Sequence, residues 1–166
     1  MVLMSSRYKL VRGHKHIVNL IEASAAPIPG TTGYEVFILM ERCSGGGIID
    51  MMNTRLQNRL TEAEILKIFS DVVEAVCWMH TRNPPLIHRD LKVENILLAG
   101  PEFYKLCDFG SASTPKRAPQ TMQEIQALEA DLNKNTTLQY RAPEMCDVWA
   151  RKEVGLAAGE LILPPK

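Results

Sequence analysis

The chain has 166 residues, of which 46% are hydrophobic, and its 19 basic and 19 acidic side chains give a formal net charge of zero. This length can bury one ordinary core, and the balanced charge provides no basic field for nucleic acid. Apolar runs fall short of the roughly 20 residues of a membrane span, and the N-terminus lacks the apolar core of a signal peptide. The composition therefore predicts a soluble, globular protein that is not secreted.

Four cysteines are scattered through the chain without a C-x-x-C pair, and the four histidines lack ligand spacing. His14 and His16 fall in a short polar segment that is typical of a turn. We therefore expect reduced thiols and no zinc site.

The first part of the chain alternates apolar segments with turns. A short apolar run covers residues 17–21, and a loop rich in proline and glycine follows it. The β-branched and aromatic residues 34–40 predict a strand. The triple glycine at 45–47 could cradle a phosphate, but the G-x-G-x-x-G spacing is missing, so a plain hinge is favoured. Apolar residues between Ile48 and Leu60 then recur at helical spacing.

The longest helix is predicted to begin at Thr61. Residues 61–64 have the form of a capping box, in which the Thr61 hydroxyl accepts from a free N–H and Glu64 reaches back. Apolar residues from Ile65 to Met79 follow a period of 3.6 residues. The helix is expected to end near the Asn-Pro-Pro sequence at 83–85.

Three polar motifs follow this helix, namely residues 88–95 (HRDLKVEN), 108–110 (DFG) and 142–144 (APE). Two short strands, 96–98 and 104–106, are predicted between the first and second motifs. Asp90 and Asn95 then lie on the loop after the long helix, and Asp108 lies just past a hairpin. Three polar side chains are thereby presented to one cleft.

These residue types suit phosphoryl transfer, which depends on positioning and charge neutralisation more than on covalent chemistry. Asp90 can orient an acceptor hydroxyl and take its proton, and Lys92 can neutralise the moving phosphate. Mg²⁺ prefers hard oxygen ligands, and Asn95 and Asp108 supply an amide oxygen and a carboxylate. Mg²⁺ is therefore an expected cofactor.

The segment between Asp108 and Glu144 is long and rich in Ser and Thr. Loops of this length are commonly functional or disordered, and residues 123–134 could form a weak helix. Arg89 would be available to pair with a phosphate placed between Ser111 and Thr137, so phosphorylation there is a hypothesis.

Residues 13–147 resemble a eukaryotic protein kinase, and more narrowly the Numb-associated kinase group of adaptor-associated, cyclin-G-associated and fungal actin-regulating kinases. The resemblance is carried by residues 13–18, 53–57, 86–98, 106–112 and 136–145, and residues 34–41 lean toward the fungal members. It implies an α+β, protein-kinase-like fold with a mostly helical C-lobe and the last strands of the N-lobe.

The resemblance also implies a division of the chain. Residues 1–41 would be a residual N-lobe piece with the end of helix αC and strands 4 and 5. Residues 42–147 would be the hinge and the C-lobe core through the activation segment. Residues 148–166 match nothing in the family pattern and form a tail.

The same resemblance implies an ATP cleft with Met40 as gatekeeper. The backbone of Glu41 and Cys43 would bond adenine, and Leu97 would lie beneath it. In serine/threonine kinases a threonine at the position of Thr137 can bond both the catalytic aspartate and the lysine, here Asp90 and Lys92. Tyrosine kinases favour an arginine where this chain has Lys92.

Serine or threonine is therefore the implied acceptor, in protein substrates such as endocytic adaptors and actin-patch regulators, with no nucleic-acid partner and no membrane span. The implied location is the cytoplasm, at cortical endocytic sites. These implications rest on family likeness.

The chain departs from the family pattern in four respects. No glycine-rich loop, strand-borne lysine or αC glutamate precedes the motifs, and Glu144 lacks the arginine that normally pairs with it downstream. Three hypotheses stay open: a fragment of an active serine/threonine kinase, a shortened and catalytically weak lobe that acts as an interaction module, and a product that does not fold. The retained Asp90, Lys92, Asn95 and Asp108 favour descent from an active enzyme. The missing upstream lysine favours inactivity of this exact chain.

Overall fold

The computed structural model describes residues 11–149, which form two small antiparallel sheets and four α-helices. In the first sheet, strand β1 (Leu20–Pro27) pairs with strand β2 (Tyr34–Met40), and a bulge falls between Leu20 and Glu22. The strand predicted over residues 34–40 is thus confirmed. The loop between the strands carries the proline and glycine residues that break both elements.

Two helices follow the first sheet, α1 (Ile48–Thr54) and α2 (Glu62–His80). The capping box of α2 is confirmed, because the Thr61 hydroxyl accepts from the Glu64 amide and the Glu64 carboxylate accepts from the Thr61 amide. Helix α1 ends before the apolar period does. The Arg55 guanidinium donates to the carbonyls of Asn58 and Arg59 and to Glu64, and so organises a turn there. Within residues 11–149, no helix has both the length and the apolar character needed to cross a membrane.

The second sheet is a hairpin of β3 (Ile96–Gly100) and β4 (Phe103–Leu106), and each strand extends the predicted one by one or two residues. Helix α3 (Met122–Asn135) and the short helix α4 (Pro143–Cys146) complete the described elements. The expected weak helix is thus present. It begins with a second capping box, Thr121 with Glu124, that sequence reasoning had missed.

In the core, residues 11–20 pack against α2 and the hairpin. The largest cluster of buried residues comprises Val11, Ile17, Leu20, Ala75, Met79, Leu86, Leu106, Phe109 and Ala112. A second cluster under α1 comprises Ile48, Ile96 and Tyr104. The hairpin contributes to both clusters. Asn95 and Asp108, which lie at its two ends, are therefore held next to packed core residues.

The turn predicted around His16 is present, and His16 itself lies in this packed region. It is only 2% exposed, and its Nδ1 lies 2.8 Å from the carbonyl of Tyr104. Its Nε2 lies 3.5 Å from Asp71 of α2, whose other carboxylate oxygen accepts from the Tyr104 amide. His16 therefore links the N-terminal segment to both α2 and β4.

The triple glycine has a steric role at its first position. Gly45 donates to the carbonyl of Leu98 at 2.9 Å, and a Cβ on Gly45 would lie 2.5 Å from Leu98 Cγ. The next residue, Gly46, has a φ of +75°, which a side chain would strain. The segment therefore packs directly on β3 because it lacks side chains.

We expect Gly45→Ala to lower the free energy of unfolding by about 1–3 kcal/mol, the range for overpacking. A matched control is Gly100→Ala, where the nearest side-chain atom to the new Cβ lies 4.0 Å away. Chemical denaturation of the two variants measures the difference. Equal stabilities would contradict the close approach of Gly45 to β3.

Candidate active site

The loop between α2 and β3 is held by main-chain and histidine contacts. Ile87 and Ser113 exchange two backbone hydrogen bonds of 2.8 and 2.9 Å. His88 is 2% exposed, and its Nε2 donates to the carbonyl of Cys107 at 3.0 Å while its ring meets Phe109 edge-on. Burial lowers the pKa of His88, so the ring is neutral at pH 7. A neutral buried histidine thus ties the loop to the turn that contains Asp108.

Asp90, Lys92 and Thr137 form a closed triangle. The Lys92 ammonium lies 2.8 Å from one Asp90 carboxylate oxygen and 2.9 Å from the Thr137 hydroxyl. That hydroxyl donates to the other Asp90 oxygen at 2.6 Å. A threonine can do both because its oxygen accepts one hydrogen bond and donates another. Thr137 is 47 residues away from Asp90 in sequence, so the activation segment closes directly on the catalytic loop.

The triangle keeps Asp90 charged. Burial alone would raise the pKa of Asp90, but the hydrogen bonds from Lys92 and Thr137 outweigh it and lower the pKa. The hydrogen bond to Asp90 in turn raises the pKa of Lys92. Both groups are therefore ionised at neutral pH.

Asn95 and Asp108 lie at the two ends of the hairpin, and the Cys107 amide joins these ends by donating to the Asn95 carbonyl at 2.9 Å. Asn95 is 6% exposed, and its side-chain amide donates to the Asp90 carbonyl at 2.8 Å. Because its nitrogen is used this way, its oxygen is the atom that can meet a cation. Asp108 is an exposed residue in the left-handed region, with φ 59°. The side-chain oxygen of Asn95 and the exposed carboxylate of Asp108, at neighbouring ends of the hairpin, fit a Mg²⁺ ion that takes its remaining ligands from phosphate and water.

The segment after β2 could receive an adenine ring. Met40 ends β2, and the Glu41 carboxylate accepts from Lys105 and from the Asn19 amide, both at 2.6 Å. Among residues 11–149, neither the Glu41 carbonyl nor the Cys43 amide makes a backbone hydrogen bond. These two groups therefore have hydrogen-bonding capacity for a ligand.

Leu97 lies on β3, where Gly47 forms a bridge with it. The structure therefore brings the segment after β2 next to the strand that joins Asn95 to the hairpin turn. Of the residues that the sequence singled out, Asp90, Lys92, Asn95 and Thr137 are in direct contact. Met40, Glu41 and Cys43 lie on a separate segment, tied to β4 through the contact of Glu41 with Lys105.

Arg89 differs from its sequence-based expectation. Its guanidinium donates to the Ser111 carbonyl at 2.7 Å and to the Asp131 carboxylate of α3 at 2.5 Å. The Arg89 guanidinium, which was expected to be available for a phosphate, is therefore already paired with Asp131. Sequence reasoning did not single out Asp131, although the capping box at Thr121 could have indicated a well-formed helix around this residue.

Glu144, the last residue of the third motif, is half-buried at the start of α4 and has no ion-pair partner within residues 11–149. Partial exposure lets water solvate its carboxylate, which avoids the cost of a fully buried unpaired charge.

Comparison with known proteins points to one class. A model of the protein kinase domain matches residues 5–156. The serine/threonine-protein kinase ppk30 of Schizosaccharomyces pombe is 56% identical over 146 residues, which cover 88% of this chain and 15% of that protein. The actin-regulating kinase PRK1 of Saccharomyces cerevisiae is 52% identical over 141 residues, covering 85% of this chain and 17% of that protein. Actin-regulating kinase 1 of the same yeast is 51% identical over 142 residues, covering 85% and 22%.

The chain therefore belongs to the protein kinase family. The resemblance to the fungal actin-regulating members of the Numb-associated group and the α+β kinase-like fold are both confirmed. The chain spans less than a quarter of the length of each of these three relatives.

Proposed function

We propose that this protein transfers the γ-phosphate of ATP to serine or threonine hydroxyls of other proteins. The observation that carries the proposal is the triangle of Asp90, Lys92 and Thr137, in which a carboxylate is kept ionised beside a fixed ammonium group. This arrangement can orient a hydroxyl donor and neutralise a phosphoryl group in the same place.

In the proposed reaction, the acceptor hydroxyl donates a hydrogen bond to Asp90. Its oxygen forms a bond to the γ-phosphorus while the bond from that phosphorus to the ADP oxygen breaks. The products are a phosphate ester and ADP, and the hydroxyl proton passes to Asp90. Because the pKa of Asp90 is lowered, the carboxylate is a weak base, so it orients the hydroxyl first and takes the proton late in the transfer.

The nucleotide would lie between the segment after β2 and strand β3. The Glu41 carbonyl and the Cys43 amide would bond adenine, with Met40 as gatekeeper and Leu97 beneath the ring. Asn95 and Asp108 would hold Mg²⁺, which neutralises phosphate charge when bound. The uncommitted Glu41 and Cys43 backbone groups and the donor set of Asn95 and Asp108 support this placement.

We infer the substrates and the location from the relatives and from the family resemblance. Two of them carry the name actin-regulating kinase, which supports actin-patch regulators as substrates of this protein. Endocytic adaptors as substrates rest on the resemblance to the Numb-associated group. We place it in the cytoplasm, at cortical endocytic sites. The proposed division of the chain is residues 1–41 as N-lobe, 42–147 as hinge and C-lobe core, and 148–166 as a tail outside the family pattern.

A direct test uses the protein purified from cells that express it from its own gene. It is incubated with Mg²⁺, ATP labelled at the γ-phosphate, and four peptides that carry Ser, Thr, Tyr or Ala at one position and have no other side-chain hydroxyl. We expect label on the Ser and Thr peptides and none on a peptide with Ala at that position. Label on the Tyr peptide alone would contradict the acceptor class. Absence of any transfer would contradict the enzyme and favour the interaction module.

A further inference from the structure

We propose that Asp131 is a positioning residue that takes the place of a phosphorylated side chain, holding Arg89 so that the site is ordered without phosphorylation. The proposal rests on the function proposed above, because it concerns the alignment of Asp90. It departs from the sequence-based hypothesis that a phosphate between Ser111 and Thr137 would pair with Arg89.

The first observation is the pairing itself. The Arg89 side chain is 11% exposed, and its Nη1 donates to Asp131 Oδ2 at 2.5 Å. Asp131 is oriented from its other side, since Asn135 donates to Oδ1 at 2.7 Å. The hydrogen bond from Arg89 lowers the pKa of Asp131, so the carboxylate is charged at neutral pH. A charged hydrogen bond of this kind is what a phosphate would otherwise provide to an arginine.

The second observation is the position of Arg89 in the chain. Arg89 directly precedes Asp90, and its φ of 72° lies in the left-handed region, which costs free energy for a residue with a side chain. Its guanidinium also donates to the Ser111 carbonyl at 2.7 Å. Arg89 thus holds the catalytic loop to the start of the activation segment, while Asp131 holds Arg89.

The third observation is that α3 reaches Asp90 by a second route. The Thr136 hydroxyl donates to the Leu132 carbonyl at 2.6 Å, and Arg141 donates to Thr136 at 2.7 Å. The next residue, Thr137, donates to Asp90. The C-terminal part of α3 therefore fixes Asp90 through both Arg89 and Thr137.

Charge disfavours a phosphate in the same place. Lys116 lies 3.5 Å from Asp131, but its side chain is 60% exposed and remains hydrated. A phosphate brought to Arg89 would add a charge of about −1.5 to −2 next to the Asp131 carboxylate. The phosphate and the Asp131 carboxylate would repel each other, so the space beside Arg89 favours the single carboxylate over an added phosphate.

The test compares Asp131→Asn with Glu129→Gln, which removes the same charge from an exposed position of the same helix. In the protein purified from its own cells, we expect Asp131→Asn to lower kcat by about tenfold or more, the loss typical of a charged hydrogen bond. KM for ATP should be unchanged, and Asp131→Glu should restore part of the rate. Phosphatase treatment of the unmodified protein should leave kcat within about twofold, because the pairing needs no phosphate.

A double variant separates positioning from general damage. If Asp131 acts through Arg89, Asp131→Asn should add little to the loss caused by Arg89→Gln. Additive losses, equal kcat for Asp131→Asn and Glu129→Gln, or loss of activity on phosphatase treatment would each overturn the proposal.

A measurement that does not depend on catalytic activity separates this proposal from the proposed function. Amide hydrogen exchange at Ile87 and Ser113, whose backbone bonds flank Arg89, should be faster in Asp131→Asn than in Glu129→Gln. If the protein transfers no phosphate but exchange is faster in Asp131→Asn, the proposed function would be wrong, whereas the role of Asp131 in ordering the loop would stand. Equal exchange in the two variants would overturn that role.

Discussion

Asp90→Asn is expected to lower kcat for phosphate transfer by about 10²–10⁴-fold, the usual contribution of a positioned general base. Asparagine keeps the shape of the side chain but loses the charge that Lys92 and Thr137 hold at 2.8 and 2.6 Å. KM for ATP should change little, because in the proposed reaction Asp90 binds the acceptor hydroxyl and not the nucleotide. Steady-state kinetics with a serine peptide measure both constants.

Asp50→Asn is a matched control for this variant, since Asp50 is an exposed residue on α1. It should retain the full rate. An Asp90→Asn variant that keeps more than about a tenth of the kcat of the Asp50→Asn control would show that Asp90 is not the acceptor-orienting group.

Phe109→Ala is expected to lower the free energy of unfolding by about 3–5 kcal/mol, the range for removing a buried aromatic ring. Phe109 is 0% exposed and packs in the main core cluster, with the His88 ring 5.1 Å away. This loss is a large part of the roughly 5–15 kcal/mol that stabilises an ordinary domain. Urea denaturation of the purified protein measures it.

The matched control is Phe69→Ala, because Phe69 is 65% exposed on α2. Its truncation should cost about 0.5 kcal/mol or less. Equal losses for the two variants would show that the core around Phe109 is not packed as described, and absence of a cooperative transition in the unmodified protein would favour the hypothesis that the chain does not fold.

Local features were predictable from sequence because their causes lie within a few residues. The capping box at Thr61 satisfies helix N–H groups three positions away, and the apolar period behind it reports one face of a helix. The same holds for Asp90 and Asn95, which sit five residues apart in a loop whose composition suits phosphoryl transfer. Their contact through the Asn95 amide is short in sequence as well as in space.

Features that depend on distant residues were missed. The bond between Arg89 and Asp131 spans 42 residues, and no local pattern marks either partner. The turn predicted around His16 is present, but the burial of His16 was not predicted, because its carbonyl partner is 88 residues away. The end of α1 was placed late, since a periodic pattern does not register the carbonyls that Arg55 binds.

The most direct measurement is a crystal structure of the protein with Mg²⁺ and a non-hydrolysable ATP analogue. It tests the claim that one cleft brings nucleotide, metal and Asp90 together. We expect oxygens of Asn95 and Asp108 at about 2.0–2.1 Å from the Mg²⁺ ion, adenine on the backbone of Glu41 and Cys43, and the γ-phosphate directed toward Asp90. A nucleotide bound elsewhere, or a metal held by neither Asn95 nor Asp108, would contradict the proposed site.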